Sequence, residues 1–337
     1  MNAQRLRTVV IGFGRIASGY AVDPLTAKFY RYATHAQALK DHPLLDWIGV
    51  ADPSPDALRQ AREAWCIPFV CGDTRALAAA CDPEIAVLAT PPEARLAAIR
   101  EFPSLRGVLV EKPLGRTAAE AEAFLAHCDA HGILVQVNYW RRADSAYRRL
   151  ADGLLRELVG EPQAVFCVYG NGMRNNGTHV VDFLRMLLGE IATVHPMGPG
   201  NAHGDLALAG DLDVAFGLGM RCGAWVSCLP VDFRRYREVS FDFWGEKGRL
   251  AVMQEGLCPA LFRAGPHRAL LGAHEMASDR PERFETTVGE ALRRMHDNLA
   301  EAVVSGVRLY SPGDSALASE RAAEQVLLSL GSPGKSA

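Results

Sequence analysis

A lysine directly after a predicted strand is the first side chain suited to chemistry. Glu111-Lys112-Pro113 follows the apolar run Gly107 to Val110, at the edge of a predicted parallel sheet where ligands bind. There Lys112, partly shielded from water, could hydrogen-bond a substrate oxygen and shift its own pKa. A lysine at a strand end is usually a solvated charge, so Lys112 needs a second group beside it to be informative.

A histidine in a second motif could move a proton. In the segment Asn175 to Asp182, Thr178 is predicted to cap a helix, which places His179 in its first turn. The positive end of the helix dipole would lower the pKa of His179 and keep it neutral as a base. Asp182, three positions later on the same helix face, could orient His179 or hold a substrate hydroxyl. The alternative is a capping histidine without chemistry, which would be favoured without Lys112.

A glycine-rich turn follows the first predicted strand. Its sequence, Gly12-Phe13-Gly14-Arg15-Ile16-Ala17, is a G-x-G-x-x-A fingerprint that opens a predicted helix. The first glycine permits a tight turn, the second lets the backbone approach a pyrophosphate, and the small last residue allows close packing of helix and strand. The helix N-terminus then attracts the anion. An ordinary glycine turn is the alternative, and the position after the first strand favours a dinucleotide site.

An aspartate at the end of the second predicted strand favours NAD over NADP. In Ala51-Asp52-Pro53 the carboxylate could accept hydrogen bonds from ribose hydroxyls and would repel a 2'-phosphate. Asp52 lies some forty positions after Gly12, whereas the fingerprint expects about twenty after the motif. We interpret the extra length around Tyr20 to Ala33 as a loop inserted after the first helix. The alternative role of Asp52 is to cap the helix that follows.

Two further polar clusters are candidates for ligand contacts. Some residues of the first, directly after the predicted strand Ile133 to Val137, could face a nicotinamide or a substrate, and a solvated surface is equally compatible. The second could receive a phosphate or carboxylate, as a nucleotide-sugar would require, although charge clusters are usually solvated. The first comprises Asn138, Tyr139, Arg141 and Arg142, and the second Arg234, Arg235, Tyr236 and Arg237.

Alternating strands and helices must position the motifs of the first region. Short β-branched runs alternate with alanine-rich amphipathic segments up to residue 140, which predicts βαβ units and a parallel sheet. The predicted strands are Thr8 to Ile11, Trp47 to Ala51, Ile85 to Ala89, Gly107 to Val110 and Ile133 to Val137. The predicted helices are Pro55 to Ala64, Thr74 to Ala80, Pro92 to Arg100 and Thr117 to His131.

After Tyr139 the pattern changes to an α+β type with a mostly antiparallel sheet and a helix on one face. The predicted helices are Ser145 to Leu158, Thr178 to Leu188, Thr286 to Val304 and Ser315 to Leu330. The predicted strands are Gln163 to Tyr169, Asp213 to Gly217, Cys222 to Leu229, Val239 to Trp244 and Arg249 to Gln254, the last two joined by a hairpin. We predict a dinucleotide-binding domain over 1–140, a substrate-binding and oligomerisation domain over 141–330 whose last helix can pack back on the first, and a flexible tail over 331–337.

Composition excludes several classes of protein. The 337 residues are 49% hydrophobic, and 36 Lys+Arg against 39 Asp+Glu give a net charge of -3, which predicts no nucleic-acid partner. The eight cysteines form no C-x-x-C pair and fit neither a disulfide framework nor a zinc site. No apolar stretch is long enough to span a membrane. We expect a small-molecule ligand, no metal, no membrane contact and a cytoplasmic location.

Taken in order, these motifs resemble those of the Gfo/Idh/MocA family of oxidoreductases. The set comprises the glycine fingerprint, Ala51-Asp52-Pro53, Thr90-Pro91-Pro92, Glu111-Lys112-Pro113 and Gly177-x-His179-x-x-Asp182, and it covers almost the whole chain. The resemblance implies a Rossmann domain, a second domain with an open-faced mixed sheet, and bound NAD(H) or NADP(H). It also implies oxidation or reduction of a sugar or cyclitol hydroxyl, in a homodimer or homotetramer whose sheets pair face to face.

The resemblance implies roles for individual residues. Lys112 resembles the family's active-site lysine, and His179 its proton-transferring histidine. Where inositol-dehydrogenase-like members have an aspartate, this chain has Asn175, and an amide binds a hydroxyl without relaying a proton. We predict substrate contacts from Asn175, Asp182 and Arg141, and NAD contacts from Gly12, Phe13, Gly14, Arg15, Ile16, Asp52, Thr90, Pro91, Glu111, Lys112 and Asn138.

Three functions fit these residues. In a net dehydrogenase or reductase, the leading hypothesis, hydride passes between a substrate carbon and the nicotinamide while His179 and Lys112 manage the hydroxyl proton. An NAD-using glycoside hydrolase on the same fold would retain its cofactor and show no net change in NADH. A non-catalytic NAD-binding regulator is the third alternative, and the presence of both Lys112 and His179 argues against it.

Overall fold

The chain folds into two compact units. The computed structural model describes residues 5–202, 206, 208, 210–276 and 279–330. The first unit takes the residues up to 143 together with 288–317, and the second takes 144–287 together with those from 318 onward. Residues 288–317, which the sequence-based division placed in the second domain, thus group with the first. The predicted flexible tail, 331–337, lies outside the described residues.

Strands and helices alternate in the first unit and are mixed in the second. The strands are β1 (Leu6–Ile11), β2 (Leu45–Ala51), β3 (Phe69–Cys71), β4 (Ile85–Leu88), β5 (Gly107–Val110), β6 (Leu134–Val137), β7 (Pro162–Tyr169), β8 (Ile191–Pro196), β9 (Phe216–Met220), β10 (Trp225–Pro230), β11 (Ser240–Gly245), β12 (Gly248–Met253), β13 (Cys258–Pro266), β14 (His274–Met276) and β15 (Glu282–Arg283). The helices are α1 (His35–Leu39), α2 (Pro55–Trp65), α3 (Thr74–Ala80), α4 (Pro92–Ile99), α5 (Ala118–Ala130), α6 (Ser145–Arg149), α7 (Leu155–Val159), α8 (Thr178–Leu188), α9 (Ala291–Ser305) and α10 (Gly313–Leu330).

Six parallel strands form the sheet of the first unit, in the order β3-β2-β1-β4-β5-β6. This is the strand order of doubly wound folds, in which ligands bind at the carboxyl ends of the strands where the order reverses. The predicted parallel sheet is therefore confirmed. The sequence missed β3, because three half-buried or exposed residues show no clear alternation.

Both faces of this sheet are covered, which explains its continuous apolar strands. Val9 enters one hydrophobic core together with Phe124 of α5, whereas its neighbour Val10 enters the opposite core together with Leu299 of α9. Successive side chains of a strand point to opposite faces, and both valines are fully buried. Each face of the sheet is therefore covered. Helix α9 belongs to this unit because its apolar face covers the sheet.

The first crossover is interrupted rather than helical throughout. One helical turn closes over Gly14–Ser18, and the chain then leaves through two short 3-10 segments. The N–H groups of His35 and Ala36 donate to the carbonyl oxygens of Ile16 and Ala17 at 3.1 and 2.8 Å, so α1 continues the ladder of that turn. The helix expected directly after the fingerprint is thus divided, and the predicted insertion lies within it instead of after it.

The sheet of the second unit is mixed. Its described strands run in the order β14-β13-β12-β11-β7-β10-β9-β8, with β15 beside β13, and only the β7–β10 pair among them is parallel. The predicted helix Ser145 to Leu158 is divided into α6 and α7 by a wider turn, Leu150–Leu154, in which Gly153 has a φ of +119°. The strand predicted from Asp213 begins three residues later, at Phe216.

This second sheet has one covered and one open face. Phe241 of β11 is buried, with its ring centroid 4.6 Å from that of Phe183 on α8. On the opposite face Phe166, Trp225 and Leu229 are 50%, 45% and 49% exposed. The alternation of period two is that of an antiparallel sheet with one solvated face, as predicted. No helix in the described parts of the chain has the length and apolarity needed to cross a membrane.

Candidate active site

The glycine fingerprint forms a backbone turn at the end of β1. Gly12 has a φ of +85°, and a Cβ there would lie 2.7 Å from the carbonyl oxygen of Ala89, so only glycine fits. At Gly14 a Cβ would meet no described atom within 4 Å, which leaves the backbone open to a bulky anion. Phe13 is buried, whereas Arg15 is exposed and Ile16 half-buried. These features fit the pyrophosphate of a dinucleotide.

Asp52 is held beside this turn. Its Oδ2 accepts a hydrogen bond from the N–H of Phe13 at 2.6 Å, and its Oδ1 accepts one from the N–H of Ser54 at 2.8 Å. The N-cap of α2 is Ser54, whose side chain accepts from the N–H of Ala57, so Asp52 is not the capping residue. The carboxylate thus directly follows β2, which is where the acidic residue of dinucleotide-binding folds is found.

On the other side of the turn, Thr90, Glu111 and Asn138 lie just beyond the carboxyl ends of β4, β5 and β6. The side-chain N–H of Asn138 donates to Glu111 Oε1 at 2.7 Å. Thr90 Oγ1 and Asn138 Oδ1 are buried, and neither has a hydrogen-bond partner among the described residues. A buried polar atom without a partner costs about 1–3 kcal/mol, so these atoms fit a ligand that supplies the missing bonds. The residues present therefore fit the nicotinamide half of a dinucleotide.

Arg95, which the sequence analysis did not single out, ties two of these loops together. Its guanidinium is 2% exposed and donates to the carbonyl oxygen of Thr90 at 3.1 and 2.9 Å. It also donates to the carbonyl oxygens of Leu114 and Pro113, just beyond Lys112. A buried arginine needs such partners to offset its desolvation. Arg95 thereby ties the loop after β4 to the backbone that directly follows the candidate lysine.

Three titratable side chains form a chain that begins next to Lys112: Glu111, which is partly buried, and two fully buried histidines. Glu111 Oε1 lies 2.9 Å from His35 Nε2, and His35 Nδ1 lies 2.9 Å from His296 Nε2. Burial by itself raises the pKa of Glu111, but the hydrogen bonds from His35 and Asn138 and the charge of Lys112 outweigh it and lower the pKa. Glu111 is therefore ionised at neutral pH. Sequence reasoning missed both histidines, because His35 and His296 are 261 positions apart.

The helix that carries His179 begins earlier than predicted. Helical backbone starts at Met173, and the hydroxyl of Thr178 donates to the carbonyl oxygens of Arg174 and Asn175, so Thr178 is not an N-cap. His179 is half-buried and lies beyond the first turn, so the argument from the helix dipole does not hold for it.

Two buried aspartates from a distant segment take the place of the missing cap. Asp211 accepts from the N–H groups of Arg174 and Asn175, both at 3.0 Å, and Asp213 accepts from that of Gly172 at 2.7 Å. Carboxylates suit the positive end of a helix. They fix the start of the helical segment that carries the candidate histidine.

The predicted substrate residues lie in different surroundings. Asn175 is half-buried, and its amide N–H donates to the carbonyl oxygen of Asn171 at 3.1 Å. Asp182 is buried and accepts from the hydroxyl of Ser319 at 3.1 Å. Arg141 is 5% exposed and lies 4.2 Å from the centroid of the Trp140 ring. Tyr139 is part of the core of the first unit, whereas Arg142 is half-buried.

The arginine cluster around residue 235 is exposed and paired with carboxylates. Arg234 donates to both oxygens of Asp232 at 2.8 and 2.9 Å, Arg237 pairs with Glu255, and Arg235 lies 3.8 Å from Asp232. A pocket of about 220 Å³ lies beside Arg234 and Arg237. Because Asp232 and Glu255 offset two of the three positive charges and the pairs are exposed, the cluster offers an incoming phosphate only a small net attraction.

The remaining reactive side chains are the cysteines and other potential metal ligands. All eight cysteines lie in the described residues and are free thiols. Within the described ranges no group of three His, Cys, Asp or Glu side chains is placed to hold a metal ion.

The first unit matches a known family. Residues 6–139 match the Gfo/Idh/MocA model, described as an oxidoreductase family with an NAD-binding Rossmann fold. Over 125 residues the chain is 34% identical to inositol 2-dehydrogenase/D-chiro-inositol 3-dehydrogenase of Shouchella clausii (strain KSM-K16), covering 36% of each protein. Matches to curated relatives span 19% to 54% of their length.

Solved structures match nearly the whole chain. The WlbA dehydrogenase from Bordetella pertussis, in complex with NADH and UDP-GlcNAcA, has a TM-score of 0.72 at 18% identity, covering 97% of both chains. A super-repressor mutant of Gal80p from Saccharomyces cerevisiae has a TM-score of 0.74 at 13% identity, covering 97% of this chain and 96% of that chain. These likenesses confirm the predicted fold class.

Proposed function

We propose that this chain, whose residues 6–139 match the Gfo/Idh/MocA model, transfers hydride between NAD(H) and a hydroxyl- or keto-bearing carbon of a sugar, cyclitol or nucleotide-sugar. The observation that carries the proposal is the row of groups at the carboxyl ends of β1, β2, β4, β5 and β6. It combines the open turn at Gly14, the carboxylate of Asp52 and the buried unpartnered atoms of Thr90 and Asn138.

The residues of the first unit hold the cofactor. Backbone groups around Gly14 would face the pyrophosphate, because a Cβ there would meet no described atom within 4 Å, and Gly12 permits the turn that exposes them. Asp52 accepts hydrogen bonds from the adenosine ribose and disfavours a 2'-phosphate, which makes NAD the preferred cofactor. Arg15 and Ile16 follow Gly14 directly in the chain and complete this part of the proposed cofactor site. When bound, the nicotinamide accepts or supplies the hydride.

Lys112 and His179 share the proton of the substrate hydroxyl. A lysine fixed in place by the loop that Arg95 holds can hydrogen-bond the oxygen, and the imidazole of His179 can take or return its proton. Asn175, Asp182 and Arg141 are the candidates for orienting the other hydroxyls. Because Asn175 is an amide, it binds a hydroxyl without entering the proton transfer.

The open face of the second sheet supports a homo-oligomer. Phe166, Trp225 and Leu229 are large apolar side chains about half exposed on adjacent strands, and such patches usually mark an interface. A second copy of the chain is the partner we propose, since an isologous contact would cover the same patch on both copies. Free thiols suit a reducing compartment, so we place the protein in the cytoplasm.

The proposal is tested by binding and turnover with the purified protein. NADH is titrated by fluorescence, and cyclitols, sugars and nucleotide-sugars are then screened for net formation or loss of NADH. We expect micromolar binding and turnover of one class, with Lys112→Met and His179→Gln lowering kcat by about 10²–10⁴-fold. Binding of NADH should change little in His179→Gln, because His179 is not among the predicted NAD contacts.

Matched substitutions outside the candidate site serve as controls. Lys40→Met removes an exposed lysine of the first unit, and His267→Gln removes a histidine of the second unit that lies 3.8 Å from Glu275. Both should leave kcat unchanged. Tightly retained cofactor without net NADH change would indicate the hydrolase instead, and binding without any turnover would indicate a regulator. A protein that binds no dinucleotide contradicts the proposal.

A further inference from the structure

The amide of Asn138 has only one chemically sensible orientation. An ionised carboxylate accepts hydrogen bonds and donates none, so the group that Asn138 presents to Glu111 Oε1 at 2.7 Å must be its NH2. The oxygen, Oδ1, then points away from Glu111. It is buried and has no partner among the described residues. The structure thus presents a fixed acceptor at the end of β6 that requires an N–H or O–H donor.

The same logic fixes the donor of His35, the histidine next to Glu111. Its Nε2 must donate to the carboxylate, while its Nδ1 lies 2.9 Å from His296 Nε2. Burial, together with His35 and His42, holds the pKa of His296 well below its ordinary value, so it stays neutral. Glu111 therefore receives a donor from His35 and another from the NH2 of Asn138, and His296 contacts the far side of the His35 ring.

The strand order decides which part of a dinucleotide meets this acceptor. Asp52 ends β2 on one side of the glycine turn, and Asn138 ends β6 on the other side, beyond β4 and β5. A dinucleotide whose pyrophosphate lies at Gly14 and whose adenosine ribose lies at Asp52 extends its nicotinamide toward β4, β5 and β6. The carboxamide of the nicotinamide carries an NH2, which is the donor that Asn138 Oδ1 requires.

We propose that Asn138 Oδ1 recognises the carboxamide N–H of the nicotinamide, and that Glu111, His35 and His296 are positioning residues that hold the amide in that orientation. This inference rests on the proposed function, since it assumes that the first unit binds NAD. It goes beyond that function by assigning a selectivity for the carboxamide to one oxygen atom. It also gives a role to three side chains that hydride and proton transfer do not use.

Cofactor analogues test the assignment without turnover. Dissociation constants of NAD+, thionicotinamide adenine dinucleotide, 3-acetylpyridine adenine dinucleotide and ADP-ribose are measured by calorimetry. The thioamide keeps the NH2, whereas the acetyl group replaces it with a methyl group. For the wild-type protein we expect NAD+ and the thioamide to bind alike and the acetyl analogue to bind about ten-fold more weakly. Equal binding of NAD+ and the acetyl analogue would overturn the inference, and failure of ADP-ribose to bind as well would instead contradict the proposed function.

Two variants separate recognition from positioning. Asn138→Ala should reduce the ten-fold ratio to about one, because neither cofactor then meets an acceptor. Glu111→Gln should also reduce it, since a glutamine can donate to Asn138 Oδ1 and lets the amide turn over. Asn298→Ala is the control: Asn298 is buried on α9 and bonds Arg308 and Tyr310, so its loss should lower the melting temperature and leave the ratio unchanged. A ratio that persists in Glu111→Gln would refute the positioning role.

Discussion

Removing the charge of Asp52 should relax the preference for NADH over NADPH. The substitution Asp52→Asn keeps the size of the side chain and one acceptor for the N–H groups of Phe13 and Ser54, which lie 2.6 and 2.8 Å from the carboxylate. Two unit charges about 4 Å apart repel by about 1 kcal/mol in water and about 4 kcal/mol near a protein surface. Because 1.4 kcal/mol is a factor of about ten, the ratio of the two dissociation constants should fall by about ten-fold or more.

The assay is a fluorescence titration of both reduced cofactors at low and high salt. Asp73→Asn is a matched control, since Asp73 caps α3 by accepting from the N–H of Ala76 at 2.7 Å within the same unit. That variant should lose some stability and keep its cofactor preference. The change in Asp52→Asn should shrink at high salt, because ions screen the repulsion. An unchanged ratio, with NADH still bound as tightly as before, would refute the placement of Asp52 at the ribose.

Three further outcomes follow from the structure. Gly12→Ala should weaken NADH binding more than ten-fold and lower the melting temperature more than the control Gly132→Ala. Both glycines have a positive φ, but only a Cβ at Gly12 would lie 2.7 Å from the carbonyl oxygen of Ala89. Equal melting temperatures of the two variants would contradict this. The pKa of His296 is lowered in the folded protein, so the unfolded chain binds the additional proton as the pH falls below about 6.5. The free energy of unfolding, measured with urea, should therefore decrease by up to about 1.4 kcal/mol per pH unit. The variant His296→Gln should lack this decrease. Trp225→Asp should convert the proposed oligomer into monomers in light scattering, and a monomeric wild-type protein would rule out the interface.

The elements with the strongest local pattern were predicted well. The central parallel strands β1, β4 and β5 are buried on both faces, so they stand out in the sequence as short, continuous apolar runs. Helix α3 has the predicted bounds, because Asp73 caps its start, and α8 ends where predicted, before Gly189. Strands with mixed exposure, such as β8 and β13, were missed, since their side chains show no strict alternation.

The contacts that organise the candidate site have no local signal. Arg95 looks like a solvated arginine on a helix, and only the fold brings it to the carbonyl oxygens of Thr90 and Leu114. The carboxylate of Asp211 caps a helix 36 residues away from it in the chain, at Asn175. Such hydrogen bonds depend on tertiary packing, so residue types and spacing could single out Lys112 and His179 as candidates but could not show which residues hold them in place.

The unusual position of Asp52 is explained by the interrupted first helix. Because His35 donates to the carbonyl oxygen of Ile16, it takes the place in the ladder that residue 20 would hold in an uninterrupted helix. The residues between Ile16 and His35 add length to the chain without lengthening the helix that connects β1 and β2. When they are discounted, the interval from the glycine turn to Asp52 shrinks to about the twenty residues of the dinucleotide fingerprint. The long spacing before Asp52 therefore reflects an insertion at a point where the helix can open, and the carboxylate reaches the turn through its bond to Phe13.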